Sequence, residues 1–208
     1  MPISWWAVVG LFAAVLINRA ADCWLSPARL ACRLTRHPAR QMIVLIGLPA
    51  LYMGLAWQFG ADDGLWLACL GAAVLTLLTV VDLEQRRVPN VIVLPATALA
   101  TLAAGGEGQL LSAVAGMLLA GGLFLALAVL GRRLFGRDAL GMGDVKLAAL
   151  IGALVGLERM PWALLLGVLL AGAVAAGLLL SGRARRGDSL AYGSCLALAA
   201  LVVLMVGN

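Results

Sequence analysis

Six nearly uninterrupted apolar runs recur along this chain, and they restrict its possible folds more than any other feature. They are Ile3–Ile17, Met42–Phe59, Leu65–Val81, Leu110–Leu130, Pro161–Leu180 and Leu190–Val206. Each approaches the roughly 20 residues that a helix needs to cross a hydrocarbon core of about 30 Å. In lipid every backbone N–H and C=O must be satisfied within the protein, so runs of this length read as membrane-spanning helices. Two shorter runs, Val91–Ala104 and Val145–Leu157, contain 14 and 13 residues. At about 1.5 Å per residue they cover only about 20 Å. The sequence therefore predicts an all-α, polytopic integral membrane protein of about eight transmembrane helices. Composition agrees: 63% of the 208 residues are hydrophobic and 12% charged, whereas a soluble domain carries about 25% charged residues. One transmembrane domain, 1–208, accounts for the whole length, with no soluble appendage.

The loops between these runs orient the protein, because Lys and Arg accumulate on the cytoplasmic side of a membrane. Arg19, Arg29, Arg33, Arg36 and Arg40 fall in the first loop, Arg86 and Arg87 in the third, Arg132, Arg133 and Arg137 in the fifth, and Arg183, Arg185 and Arg186 in the seventh. Lys146 follows the fifth loop, while Arg159 lies beside Glu158 on an even-numbered loop, and the other even-numbered loops carry only Asp62, Asp63 and Glu107. Both termini are accordingly expected outside the cytoplasm. The net charge of +5 follows from this arrangement and points to membrane lipid, not nucleic acid, as the partner of the basic loops. Positive charge follows the first apolar run instead of preceding it, the reverse of a cleavable signal peptide, so that run is expected to be a retained helix. Trp5 and Trp6 suit an interfacial belt at its outer end.

Metal and triad chemistry find little support. Cys23, Cys32, Cys69 and Cys195 show no C-x-x-C spacing, which argues against a zinc site. The single histidine, His37, lies in a basic loop before Pro38 and reads as a solvated surface residue.

Two aspartates stand out against this background. Asp82 closes the third run in Val80-Val81-Asp82-Leu83-Glu84-Gln85-Arg86-Arg87-Val88-Pro89-Asn90, and Asp144 opens the sixth in Gly141-Met142-Gly143-Asp144-Val145-Lys146-Leu147. An ionisable residue so close to hydrocarbon is a functional hypothesis by default. The topology brings both to the cytoplasmic face. If their carboxylates met at about 4 Å, repulsion at an effective dielectric near 20 would be about 4 kcal/mol. Such a pair would share one proton near neutrality, one member acting as base toward water and the other as acid toward a scissile carbonyl. Gly141 and Gly143 would allow close backbone approach and positive φ, Asp144 would sit at an N-cap or in a first turn, and Pro89 would break the helix carrying Asp82. The two short runs follow directly after these motifs. Their loops are therefore expected to dip below the membrane surface around a water-filled cavity.

Each residue also has a structural reading. Asp82 can pair with Arg86 one helical turn on, and the glycines can form a simple turn and cap. Lys146 can snorkel to the surface or steady charge near Asp144. Glu84 and Asp138 read as solvated loop charges or as acceptors for a basic substrate segment, and Asn18 as a helix-end residue. Small-x-x-x-small spacings, such as Gly116 to Ala120 and Gly167 to Ala171, indicate close helix packing.

Together the two motifs resemble those of the type IV prepilin peptidases, the bacterial branch of the G-x-G-D intramembrane aspartyl proteases. Asp82-Leu83 with Val88-Pro89-Asn90 is similar to that family's first-aspartate segment, and Gly141-Met142-Gly143-Asp144-Val145-Lys146-Leu147 to its second. Tyr192-Gly193 lies where the family carries a Gly-Pro-rich stretch, although Tyr192-Gly193-Ser194 lacks the proline. The resemblance runs from about Leu65 to the C-terminus and implies a peptidase core at 65–208. It implies Asp82 and Asp144 as the catalytic dyad, with Gly141, Gly143, Lys146, Pro89 and Asn90 in support and neither metal nor organic cofactor. The implied substrates are prepilins or pseudopilins, cut after a glycine to release a short basic leader at the cytoplasmic face of the bacterial inner membrane.

Bifunctional members carry a large insertion with two C-x-x-C pairs after the first span and N-methylate the new terminus with S-adenosylmethionine. Here the corresponding loop, 19–41, is a short basic remnant, and Ala14-Val15-Leu16-Ile17-Asn18 stands where those members have Gly-Ser-Phe-Leu-Asn. A peptidase-only form is therefore expected, without methyltransferase activity. The rival reading is a catalytically inactive or transport-related helical protein; against transport, the charges gather at one membrane face and no internal repeat is visible.

Overall fold

A computed structural model of the chain describes residues 3–25, 38–60, 64–135, 140–182 and 192–206. Among the described residues there are seven α-helices and no strand. They are α1 (Ile3–Leu25), α2 (Pro38–Phe59), α3 (Gly64–Gln85), α4 (Asn90–Gly106), α5 (Leu110–Phe135), α6 (Met142–Leu180) and α7 (Tyr192–Val206). Five of these, α1, α2, α3, α5 and α6, are long and apolar enough to cross a membrane, and α4 and α7 are shorter apolar helices. Large side chains such as Ile43, Leu111 and Leu180 stand out on the outer surface. Contact with water would oppose that exposure at about 25 cal/mol per Å², whereas lipid tails do not. The chain is a multi-pass, all-helical membrane protein.

The short run 145–157 and the run 161–180 share one helix of 39 residues, α6. Straight, it would measure about 58 Å, nearly twice the thickness of a hydrocarbon core. Gly156 breaks it, with φ 74° and ψ 175°, a conformation that only glycine adopts without strain. The amide of Leu157, which opens the second arm, donates to Ser112 Oγ on α5 at 3.0 Å, so the interruption leaves that donor satisfied. The second arm folds back on the first. On α7, Gly193 lies against Asp144 and Leu196, one turn later, against Gly167, yet a straight helix would separate Asp144 from Gly167 by about 34 Å.

Small residues set the closest helix contacts. Gly116 of α5 and Gly152 of α6 pack backbone on backbone, so that a Cβ on either would meet the other's carbonyl, and Ala120 next to them is fully buried. The Gly116 to Ala120 and Gly167 to Ala171 spacings thus mark helix contacts within this chain. Of the five long helices α3 is the most buried, and the short α7 is more enclosed still, with ten of its 15 residues buried. Helix α3 packs on α7, which also lies along α6. Trp6 and Trp66 meet edge-on, with ring centroids 4.6 Å apart, at the end of α3 opposite Asp82.

Two expectations about the first loop change: residues 19–25 and 38–41 of the expected loop 19–41 are helical, and Asn18 does not end a helix, because α1 continues to Leu25 and α2 already begins at Pro38. Its side chain is buried and its amide nitrogen approaches the Gln41 carbonyl at 3.4 Å, so the start of α2 covers it and supplies the acceptor that lipid cannot. His37, Cys32 and Asp138 lie outside the described residues.

Adding one methyl group should separate these packing sites. Gly116→Ala is expected to destabilise the fold by about 1–3 kcal/mol through overpacking. Gly122→Ala, with no atom within 4 Å of the new Cβ, should be neutral or stabilising by up to about 1 kcal/mol. Unfolding titrations in detergent would read both.

Candidate active site

Three helix ends converge on one point. Asp82 lies in the last turn of α3, Asp144 is the third residue of α6, and Gly193 is the second of α7. A Cβ built on Gly193 would lie 3.1 Å from Asp82 Oδ2 and 3.2 Å from Asp144 Oδ1. The two oxygens are therefore at most about 6.3 Å apart, on either side of a space kept open because position 193 has no side chain. Asp82 is 5% exposed and Asp144 is half-buried.

Local sequence explains each placement. Arg86, with φ 52°, terminates α3 while its amide donates to the Asp82 carbonyl at 2.7 Å. Pro89 follows in extended conformation, φ −73° and ψ 123°, as the N-cap of α4. It has no amide to leave unsatisfied, and its carbonyl accepts the amides of Ile92 and Val93, each at 3.1 Å. Gly141, also extended at φ −71° and ψ 143°, caps α6 and accepts the Asp144 amide at 3.0 Å. An acidic residue in this first turn is favoured by the positive end of the helix dipole.

The expectation of positive φ at the G-x-G pair is corrected, since neither Gly141 nor Gly143 has it. What Gly143 supplies is clearance: a Cβ there would come within 3.0 Å of Val88 Cβ. The turn after α3 thereby packs on the start of α6. Lys146 does not simply snorkel outward, because its Nζ donates to Asn90 Oδ1 at 2.8 Å. That bond joins the first turn of α6 to the first residue of α4, so Val88, Asn90, Gly143 and Lys146 form one brace between the two aspartate segments.

Asp82 is held from a direction that the sequence did not indicate. The Ser194 amide donates to Asp82 Oδ2 at 2.7 Å, buried and 112 residues away along the chain. A carboxylate at the end of α3 faces the negative pole of its own helix. The first turn of α7 meets it with an N–H that has no acceptor within its own helix. Phe124 and Tyr192, with ring centroids 6.3 Å apart, seat this turn on α5. The sequence marked this segment only by the place of Tyr192-Gly193 within the family resemblance and by a glycine and a small residue before an apolar run; the donor role itself left no signal.

Glu84, read from sequence as a solvated loop charge, is ion-paired instead. Arg40 Nη1 lies 3.0 Å from its Oε1, and the other terminal nitrogen of Arg40 pairs with Asp22 on α1. Among the described residues, no three His, Cys, Asp or Glu side chains gather in a metal-ligating cluster. Cys69 and Cys195 are buried free thiols.

The convergence is testable without any assay of activity. In a chain whose four native cysteines are replaced by alanine, Asp82→Cys combined with Asp144→Cys should crosslink with a short bifunctional thiol reagent. Crosslinking should fall severalfold when Gly193→Leu is added, because a side chain there pushes the two positions apart. Absence of the crosslink in the Gly193 parent would separate the two carboxylates.

Comparison with known proteins is consistent with this geometry. Residues 69–176, just over half of the chain, match the Type IV leader peptidase family. The chain is 31% identical over 181 residues to a protein of Pseudomonas putida, covering 86% of this chain and 62% of that one. Against one from Aeromonas hydrophila it is 30% identical over 193 residues, covering 89% and 64%. A protein of Neisseria gonorrhoeae is 27% identical over 217 residues, covering 100% and 69%. All three carry the name prepilin leader peptidase/N-methyltransferase. The chain spans about three fifths of the length of the first two. No solved structure matches it. With both aspartate segments inside the matched region, the chain belongs to the Type IV leader peptidase family.

Proposed function

We propose that the protein is an intramembrane aspartyl endopeptidase that removes the leader peptide of type IV prepilins or pseudopilins. The observation that carries this reading is the approach of Asp82 and Asp144 to one open point beside Gly193. In this mechanism one carboxylate takes a proton from water as the water oxygen attacks the scissile carbonyl carbon, and the protonated partner donates to the carbonyl oxygen. The tetrahedral intermediate then collapses. The C–N bond breaks as the departing amine takes a proton from one carboxyl group and a hydroxyl of the intermediate returns its proton to the other, which re-forms the C=O of the carboxyl product and restores the singly protonated dyad. Asp82 and Asp144 are the catalytic residues, while Gly141, Gly143, Lys146, Pro89 and Asn90 hold the two segments together.

The reaction is assigned to the cytoplasmic face of a bacterial inner membrane, with both termini outside. Arg86, Arg87, Arg132 and Arg133 lie at the helix ends on the dyad side, while the exposed Trp5, Trp57 and Trp66 lie at the other, an orientation that the positive-inside rule and an aromatic belt both favour. At 17 and 15 residues, α4 and α7 span about 26 and 23 Å, which favours a dyad recessed below the surface. Residues 65–208 are the proposed peptidase core within one transmembrane domain. Only the peptidase activity is assigned: residues 26–37 alone join α1 to α2, and no C-x-x-C spacing occurs in the chain. No observation favours the inactive or transport-related alternative.

Asp82→Asn and Asp144→Asn, each made alone, should lower prepilin cleavage in membranes by about 10²–10⁴-fold or more, the range for loss of a general acid or base. Both variants should still insert. Cleavage that persists in either one, measured as leader removal from co-expressed substrate, would exclude that residue from the chemistry. The intact enzyme should show a pH–rate profile with two limbs, whose apparent constants belong to the pair.

A further inference from the structure

Outside the dyad, the described residues hold a partly buried ionic cluster on α1, α2 and α3. Asp22 of α1 is 7% exposed, and Arg40 of α2 bridges it to Glu84 of α3. The side chains of Arg40, Asp22 and Glu84 are 10%, 4% and 20% accessible, so the guanidinium is held between two carboxylates with little solvent to screen it. Gln41 Nε2 also approaches Asp22 Oδ2 at 3.4 Å. Asp22 and Arg40 both lie outside the matched family region, 69–176.

The position of Glu84 gives this cluster its consequence. Asp82 and Glu84 are two residues apart, about 200° around a helix, so they leave α3 on nearly opposite faces. One points to α7 and Asp144, the other to α2. Both belong to the final turn of α3, which ends at Gln85 and where intrahelical acceptors go unused and helices fray. An anchor on the far side of that turn, itself tied to α1 through Asp22, resists both fraying and rotation about the helix axis, and a planar guanidinium is suited to bridge two carboxylates in a fixed geometry.

We propose that Arg40 is a positioning residue for the dyad: by tying Glu84 to Asp22 it fixes the last turn of α3 and so holds Asp82 against Gly193 and Asp144. The α1–α2 hairpin is then part of the catalytic apparatus without touching substrate. This rests on the aspartyl-peptidase reading for its kinetic consequence, but not for its structural one.

The test uses the full chain in membranes with two readouts. In cleavage assays Arg40→Ala should lower kcat by about 10–100-fold, the effect of a catalytic group misplaced by about 1 Å, with KM changed less than about twofold. Arg40→Lys should recover part of the loss, since an ammonium can hold one carboxylate but not bridge two. In the cysteine-replaced chain, the Asp82→Cys/Asp144→Cys crosslink should weaken severalfold on Arg40→Ala. A control crosslink through Trp6→Cys/Trp66→Cys at the other end should persist, which a general loss of structure would not allow.

Because Arg40→Ala leaves buried carboxylates unpaired and can fail to insert, a triple variant, Asp22→Leu/Arg40→Leu/Glu84→Leu, removes the whole cluster, a replacement that buried ion groups often tolerate. It should lose kcat as Arg40→Ala does. Normal kcat and normal crosslinking in the triple variant would overturn the proposal, as would a raised KM at unchanged kcat, which would place Arg40 in contact with substrate. An intact protein that cleaves no prepilin would count against the peptidase reading alone, since the crosslinks still report whether Arg40 positions Asp82.

Discussion

The fold is organised around bringing two carboxylates to one point in a molecule otherwise built to exclude charge. At the largest separation that the geometry permits, two ionised carboxylates repel by about 2.6 kcal/mol at an effective dielectric near 20, and the contacts of Asn90 with Lys146 and of Val88 with Gly143 are too few to hold the two segments together unaided. Packing does so. The contacts of α3 with α7, and of α6 with α5 and α7, place three helix ends side by side, and the backbone amide of Ser194 donates to Asp82 at 2.7 Å. Without α7, Asp82 would face the unfavourable pole of α3 and lose this backbone donor.

Lipid makes this arrangement demanding. In water an exposed aspartate needs no partner, but at the edge of hydrocarbon every polar group must be satisfied by the protein or by water in a cavity. The structure meets that requirement with short local devices. Pro89 removes an amide where none could be bonded, Gly141 accepts the Asp144 amide, and Ser112 receives the amide freed by the break at Gly156. Lys146 and Arg40, whose side chains are long enough to reach open solvent, instead bond Asn90 and the Asp22 and Glu84 carboxylates. Charged side chains at this face hold helix ends in position as well as anchoring them at the surface.

Much of this was legible in the chain, and the reasons differ from residue to residue. The apolar runs had to be helices because no other short segment satisfies its own backbone in lipid. Asp82 and Asp144 were visible because each interrupts such a run. Of the two roles expected of Gly143, positive φ does not occur, while the close approach it allows is to Val88, a contact across 55 residues of sequence. Asn18 was read as a helix end because polarity rises there, but α2 covers it and α1 continues. Gly193 and Ser194 stood out only through the resemblance of Tyr192-Gly193 to a family segment, and their role was not legible, since a missing side chain and a backbone amide leave almost no mark on composition.

The sequence by itself determined that this is a polytopic helical protein, which residues can ionise near the membrane, and which motifs carry the resemblance to prepilin peptidases. Those properties follow from hydropathy and spacing along one dimension. Only the tertiary structure decided that α6 doubles back at Gly156, that Asp82 and Asp144 flank Gly193, and that Arg40 reaches from α2 to both Asp22 and Glu84. Each depends on which faces of distant helices meet. In lipid that choice is made by close packing of small residues and by a few polar bonds, whose partners lie up to 112 residues apart and share no local pattern.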